Sequence, residues 1–336
     1  MSDDVTADGI LQLGLGFWGS KTLLSAVELG LFEYLSRGPR SARRIAIDLK
    51  LNPRGANDFL DALVALRMID RIGAEYVNMP ETDAFLVPGK PAYVGGLLEM
   101  ANARLYPFWG SLTEALRTGR PQNEAKSGGN PFDALYAEPE RLKQFLGAMT
   151  GLSLGPAQAM AKKFNWDYYT AFADIGCAQG GVGVQLALAH PHLNGWGFDL
   201  PAVKPVFQDY VKSFSLEQRL QFTAGDMFTD PWPAADVFIL GHILHDWGLE
   251  KKKQLLAIAY DALPKGGAVI VHESLIDDSR REHTMGLLMS LNMLIETQEG
   301  FDFSGADCKE WLAEAGFTQS RVEHLAGPQW MVVGVK

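Results

Sequence analysis

The chain is poor in the residues that mark several whole classes of protein. Of its 336 residues only two are cysteine, Cys177 and Cys308, far apart and without partner pairs. Neither a disulfide framework nor a cysteine metal site is expected, and no metal is assigned. No apolar run approaches the ~18 residues of a membrane span, so no membrane partner is expected. The opening MSDDVTADG is acidic where a signal peptide is basic, which points to a cytoplasmic protein. Positive charge is in deficit: 30 Lys and Arg face 40 Asp and Glu, a net charge of -10. Such a chain does not bind nucleic acid through its overall field. No internal repeat or low-complexity tract is visible.

What is present is core. Hydrophobic residues make up 47% and charged residues 21% of a chain long enough for two domains. Near the start, Gly14, Gly16 and Gly19 spell G-x-G-x-x-G, but that motif needs a preceding strand and none is visible. Leu23, Leu24, Val27, Leu31 and Leu35 follow at helical spacing, so the glycines loosen a helix start. Ser41 caps a helix through Leu49, and Asn52-Pro53 begins another with Phe59, Leu63 and Leu66 on one face. Short strands are expected near 68–71 and 76–79 around Gly73. Three helices and a two-stranded wing make a winged helix. As a DNA reader it is compromised, because Arg54 and Arg67 are accompanied by Asp58 and Asp61. A packing or dimerisation module is the better reading.

Residues 91–109 are apolar and aromatic, a helix that must be buried against a second domain or another subunit. Two prolines and Gly128-Gly129 mark 120–131 as a surface loop, and helices are expected over 138–150 and 154–164. The domain boundaries expected are 1–100 for the winged helix, 101–165 for a helical linker that contributes to a pocket, and 166–336 for an α/β domain.

The α/β part is organised around DIGCAQGGVG, Asp174 to Gly183. A β-branched and aromatic lead-in ends on Asp174, small residues turn the chain, and a helix begins near Val182. Small side chains let a ligand approach the backbone, and Asp199, about 25 positions on after LNGWGFDL, stands where a ribose diol is held. LQFTAGDMF, ADVFILGHIL and GGAVIVHESL then alternate with helices, which argues a parallel sheet, and RVEHLAG with QWMVVGVK forms an antiparallel edge hairpin. The expected fold class is α/β, a Rossmann-like mostly parallel sheet preceded by a mainly α winged-helix domain. Ligands bind beyond the carboxyl ends of such strands. Asp174, Asp199, Asp226, His245 and Glu273 all lie there. In HDW, His245 has Asp246 beside it and Trp247 to shield it, and a side chain of pKa near ~6.5 suits a general base.

Together DIGCAQGG, FDLPAV, GDMF, HDW and GADCKEWLAEAGF resemble the S-adenosylmethionine-dependent O-methyltransferases of the plant caffeate and bacterial natural-product type, over about Lys21 to Lys336. The winged helix resembles that family's dimerisation domain, which implies a homodimer. The resemblance implies that Gly176, Gly180 and the loop backbone lie against the methionine part of S-adenosylmethionine, Asp199 binds its ribose, and Asp226 with Met227 frames its adenine. It places Met149 near the reacting centre and Ser153 near the cofactor carboxylate. His245 matches the family's general base, and Glu273 and Asp302 match its bracketing acids. Phe108, Trp109, Met149, Met289, Asn292, Met293 and Glu296 would face a small-molecule acceptor, and Met and aromatic walls suit a flat apolar one.

Three departures stand out. Ala178 replaces a glycine, Gly241 replaces a lysine that contacts the cofactor in plant members, and Asp302 is one methylene shorter than glutamate. The implied activity is methyl transfer to a hydroxyl of an aromatic secondary metabolite. Rivals are metal-assisted C-methylation of a 2-oxo acid, a relative that keeps the cofactor without methyl transfer, and a ligand-sensing winged-helix regulator.

Overall fold

The computed structural model describes residues 5–127 and 138–336, so Gly128, Gly129 and Pro131 of the expected loop lie outside the described residues. The chain forms two compact units, Met1–Tyr106 and Pro107–Lys336. No helix among the described residues is long and apolar enough to cross a membrane.

In the first unit, Gly14, Gly16 and Gly19 lie in or between helices Asp8–Leu15 and Phe17–Glu28. Ser41 caps Ala42–Asp48 by accepting the Arg44 N–H, and Asn52 caps Pro53–Ala65 by accepting the Arg54 N–H. The buried stripe of that second helix is Ala56, Leu60 and Leu63, not the expected Phe59, Leu63 and Leu66. Leu63 is common to both sets and Phe59 packs half-buried against the same core, while Leu66 lies beyond the helix end, 42% exposed, and drops out. Strands β1 (Arg40–Ser41), β2 (Ile69–Ile72) and β3 (Glu75–Asn78) form a sheet in the order β1-β3-β2, one strand more than the expected wing. Asp61 accepts from Arg71 at 3.0 Å and from the Tyr76 hydroxyl at 2.8 Å. The segment 91–109 is not one regular α-helix. It runs as Gly95–Met100, a wider π turn Ala101–Leu105 and Tyr106–Trp109, and only Gly95 in it is buried within the chain.

The second unit holds a seven-stranded sheet: β4 (Ala171–Ile175), β5 (Asn194–Asp199), β6 (Leu220–Ala224), β7 (Val237–Gly241), β8 (Ala268–Glu273), β9 (Gln319–Ala326) and β10 (Gln329–Val335). Their order is β6-β5-β4-β7-β8-β10-β9, parallel from β6 to β8 and antiparallel through the β9–β10 hairpin. Alternate residues feed two cores. Phe172, Val237 and Ile239 pack on one face, and Ala173, Ile175, Phe238 and Leu240 on the other. In this alternation Asp174 occupies a position on the Phe172 face where an apolar residue would be expected.

Strand order reverses between β4 and β7, so the loops after those two strands flank the crevice where α/β sheets take their ligands. One continuous helix, Pro139–Lys163, replaces the two expected. Gly155-Pro156 reads locally as a break, since proline forfeits a backbone bond. Pro156, Ala157 and Met160 are nevertheless buried, and packing on helix Gly181–Ala189 and on β9 holds the helix together. The expected surface loop after Arg120 is also partly internal. The Gln122 N–H donates to the Ile295 carbonyl and the Asn123 side chain to the Glu296 carbonyl, both at 2.8 Å, and both residues are buried.

Candidate active site

Two groups of polar residues meet at the strand-order reversal. The first is the loop after β4. Gly176 and Gly180 have φ of +72° and +90°, the left-handed region that favours glycine. A Cβ on Gly176 would overlap Ile243 from the loop after β7, and one on Gly180 would sit 2.7 Å from Phe207. Close packing therefore explains Gly180 without any ligand. Ala178 also has a positive φ, +50°, so the glycine-to-alanine departure is strained rather than neutral, at a cost of about 1 kcal/mol. Its N–H donates to Asp199 Oδ2 at 2.9 Å, which ties the loop to the end of β5. Asp199 Oδ1 accepts the Leu200 N–H at 2.8 Å. A carboxylate offers about four lone-pair directions, so Asp199 retains capacity for two more donors, as a diol would supply.

Asp174 and Asp199 are both buried. Burial, then the charge of Asp199, pushes the Asp174 carboxyl up to about 7. Burial pushes Asp199 up to about 6 against two backbone N–H bonds. Among the described residues no neighbouring cation lowers either, so a ligand carrying positive charge would be favoured here. Asp226 stands apart. It is exposed and closes its own turn, its carboxylate accepting the Phe228 N–H at 2.9 Å, while Met227 is half-buried with its carbonyl accepting from Trp232 at 3.0 Å. Ser153 and Met149 lie half-buried on helix Pro139–Lys163, where Thr150 closes on Gly181.

The second group is built on the loop after β7 and the end of β8. His245, 6% exposed, sits in the turn Leu244–Asp246. Its Nδ1 lies 3.4 Å from Glu273 Oε2 and 3.4 Å from Asp302 Oδ1, and its Nε2 lies 3.6 Å from Asp246. The shorter Asp302 thus reaches the imidazole, at the long end of hydrogen-bond range. Glu273 is fully buried, and its Oε1 also accepts the His245 backbone N–H at 3.3 Å. Burial alone would strip the imidazole of its proton. Glu273, Asp246 and Asp302 outweigh it and hold His245 up to about 10. Glu273 is correspondingly held below the usual range by His245 and His242 despite its burial.

Three members of this group carry no obvious sequence signal. Lys252 is fully buried and donates to the Leu244 carbonyl at 2.8 Å and the Phe301 carbonyl at 2.6 Å. Those are the residues before His245 and Asp302, so one ammonium clamps both segments. Burial lowers it to about 8. His242 and His272 complete the cluster, with rings 4.8 Å apart, and burial lowers His272 to about 3, which keeps it neutral. The spacing His242-x-x-His245 was the only available hint.

Helix Thr284–Glu296, in contact with the turn that carries His245, holds Met289, Asn292, Met293 and Glu296. The Trp109 indole donates to the Asn292 side chain at 2.9 Å, which joins two of the expected acceptor-side residues. Met293 is buried, and Phe108, Met289, Asn292 and Glu296 are half-buried.

A family model described as the O-methyltransferase domain matches residues 109–318, and one described as the O-methyltransferase dimerisation domain matches residues 11–88. The chain belongs to the O-methyltransferase family. It is 45% identical over 328 residues to the tetracenomycin polyketide synthesis 8-O-methyl transferase of Streptomyces glaucescens, covering 97% of this chain and 96% of that one. It is 37% identical to the N,N-dimethyltransferase OxyT of Streptomyces rimosus, covering 98% and 96%. Human N-acetylserotonin methyltransferase in complex with S-adenosylmethionine superposes with a TM-score of 0.91 at 29% identity, covering 100% of this chain and 99% of that one.

This O-methyltransferase uses S-adenosylmethionine. The fit can be judged on the chain's own atoms. Gly176 is required by its left-handed backbone and by the close approach of Ile243. The feature that fits the cofactor is the pair of buried carboxylates, Asp174 and Asp199, which would be favoured by the positive charge of a sulfonium- and ammonium-bearing ligand. Gly241 cannot supply the lysine contact of plant members, and a Cβ there would already be 3.1 Å from His272 Nδ1.

Proposed function

We propose that this O-methyltransferase methylates a hydroxyl of a flat aromatic, polyketide-type acceptor, with His245 taking the hydroxyl proton. The observation that carries this is the buried imidazole of His245, held between Glu273 and Asp302 beside the strand-order reversal. Bound S-adenosylmethionine supplies a methyl on a sulfonium, an electrophile with its own neutral leaving group. Gly176, Asp174 and Asp199, with Ser153 and Met227, would hold it. Asp226 is exposed and engaged in its own turn, which makes its adenine contact the least supported of these roles.

The chain's own residues then have two tasks. One is to give the acceptor oxygen anionic character. With Nδ1–H directed at Glu273 and Asp302, Nε2 is the nitrogen available to the hydroxyl. A phenol has a pKa near ~10, and a base within hydrogen-bond reach takes its proton as the methyl is transferred. The acids that raise His245 to about 10 keep the ring protonated at neutral pH, so it acts as base only after Nε2 has given up its proton. The other task is orientation. Lys252 fixes the segments that carry His245 and Asp302, and alignment of reacting groups contributes about 7–11 kcal/mol in favourable cases. Phe108, Trp109, Met149 and Met293 would provide apolar walls, with Asn292 and Glu296 as polar contacts. The polyketide class is supported by the 8-O-methyl transferase relative, and the N-terminal dimerisation domain supports a homodimer.

The test is formation of S-adenosylhomocysteine from polycyclic phenols and from matched arylamines, with the methylated product located by mass spectrometry and NMR. Methylated phenolic oxygen supports the reading. Exclusive N-methylation, as the name of the 37% identical relative would suggest, removes it.

A further inference from the structure

The polar atoms beside the base are unusually short of partners. Neither ring nitrogen of His242 makes a hydrogen bond, and neither Glu273 Oε2 nor Asp302 Oδ2 does so within strict geometry, although all four atoms are buried. Buried orphan groups in a folded protein call for a missing water or ion. His242 is moreover held at φ +55°, a left-handed conformation that costs a non-glycine residue about 1 kcal/mol. Strain of this kind persists where the surroundings over-determine it, and it clusters at functional sites.

The spacing of these atoms matches one kind of ligand. Glu273 Oε2 lies 3.4 Å from His245 Nδ1 and 3.5 Å from His242 Nδ1. A tetrahedral ion with bonds of ~2.1 Å has donor-to-donor edges of about 3.4 Å. One donor atom from each of His242, His245 and Glu273 lies within 4.8 Å of the other two, so the remaining edge must shorten by about 1.4 Å at most. Charge points the same way. Asp246, Glu273 and Asp302 are three acids around this point, and Lys252, the one buried lysine among the described residues, spends its ammonium on two carbonyls. Two imidazoles and a carboxylate suit a late first-row divalent cation better than magnesium or calcium, which prefer all-oxygen sets.

We propose that His242, His245 and Glu273 bind a late first-row divalent cation, zinc by preference, and that occupancy switches methyl transfer off. As the metal–Nδ1 bond forms on His245, the single proton of the base form leaves Nδ1 for solvent and Nε2 takes one from solvent, so the ring stays neutral with its proton on Nε2. The imidazole then has no lone pair facing the acceptor hydroxyl. The cation-binding half of the inference stands on its own, and the inhibition half rests on His245 acting as the base.

The experiment uses full-length, tag-free enzyme stripped with chelator and then dialysed against zinc, with bound metal measured by mass spectrometry and cobalt(II) as a visible-spectrum probe of tetrahedral geometry. The expected result is one tightly held equivalent, lost by at least ~100-fold in affinity in His242→Asn, because removing a ligand should exceed the loss of an outer-shell partner. Asparagine tolerates the left-handed backbone, so this variant is the least disruptive. If it does not fold, Glu273→Gln serves with the same expectation. Zinc should inhibit the wild-type enzyme reversibly, and the residual rate of His242→Asn should be insensitive at the same concentration. Zinc binding that is absent, or equal in wild type and variant, overturns the site and leaves the base reading intact. One bound equivalent without inhibition supports the site and overturns His245 as the base.

Discussion

The loops after β4 and after β7 face each other across one crevice, yet they hold charge in opposite ways. After β4, Asp174 and Asp199 are buried without a cation, and their carboxyls are raised to about 7 and about 6. After β7, the carboxylates surround an imidazole that is raised to about 10. The first arrangement waits for positive charge to arrive with a ligand. The second already contains a proton to exchange. On the proposed reading, binding and chemistry would fall to neighbouring but electrostatically distinct halves of the same rim.

The largest effects should separate the halves. His245→Ala should lower kcat by about 10²–10⁴-fold with the cofactor Kd nearly unmoved, measured by turnover and calorimetry. Asp199→Ala should do the reverse, weakening cofactor binding by about 10–100-fold while kcat at saturation changes far less. If both variants lose binding, the division fails. Lys252→Met comes next. It removes the clamp on the His245 and Asp302 segments, so kcat should fall about 10-fold with KM for the cofactor retained. Stability should fall as well, because the Leu244 and Phe301 carbonyls lose their donor. Chemical denaturation alongside kinetics checks this.

The pH dependence is smaller and reads the β4 half through cofactor affinity, since Asp246, raised by burial to about 6, titrates in the same window and adds to any change in stability. Asp174 and Asp199 ionise only as pH rises through about 6–7, so affinity for the cationic cofactor should fall as pH is lowered from 8 to 5. Stability of the cofactor-free enzyme should move the other way. A carboxyl raised in the folded state contributes stability that is fully present below the unfolded value near ~4 and is lost as pH rises through 6–7. Melting curves across that range, with and without cofactor, read both slopes. The smallest effect is at Ala178. Ala178→Gly relieves a left-handed alanine but loosens the unfolded chain, so stability should shift by no more than about 1 kcal/mol. A larger change in cofactor affinity than in stability would show that the alanine adjusts how the loop meets its ligand.

Much of the β4 half was legible because its determinants are local. Strand, turn and helix follow one another within Asp174–Gly183, and Asp199 ends the next strand. His245, too, announced itself through Asp246 and Trp247. Its surroundings did not. Glu273 and Asp302 were placed through the family resemblance, since no spacing rule ties residues 28 and 57 positions away to one ring. His242 and Lys252 went unread, because a histidine in a hydrophobic run and a lysine in a KKK helix start look like packing and solvation. Local signals also misled where packing overruled them, as at the break expected between residues 150 and 154 inside a continuous helix and at Gln122 and Asn123 inside an expected surface loop.

By itself the sequence determined the alternation of strands and helices, the positions of the strand ends and the chemical types of residue delivered there, because periodicity, turn residues and caps act over a few neighbours. Only the tertiary structure decided which of those residues share a boundary of low dielectric. It brought Asp174 beside Asp199 without a cation, and His245 between two acids with a second histidine and a buried lysine. Proton affinities and ligand preferences arise from those juxtapositions, since burial and charge act through space rather than along the chain.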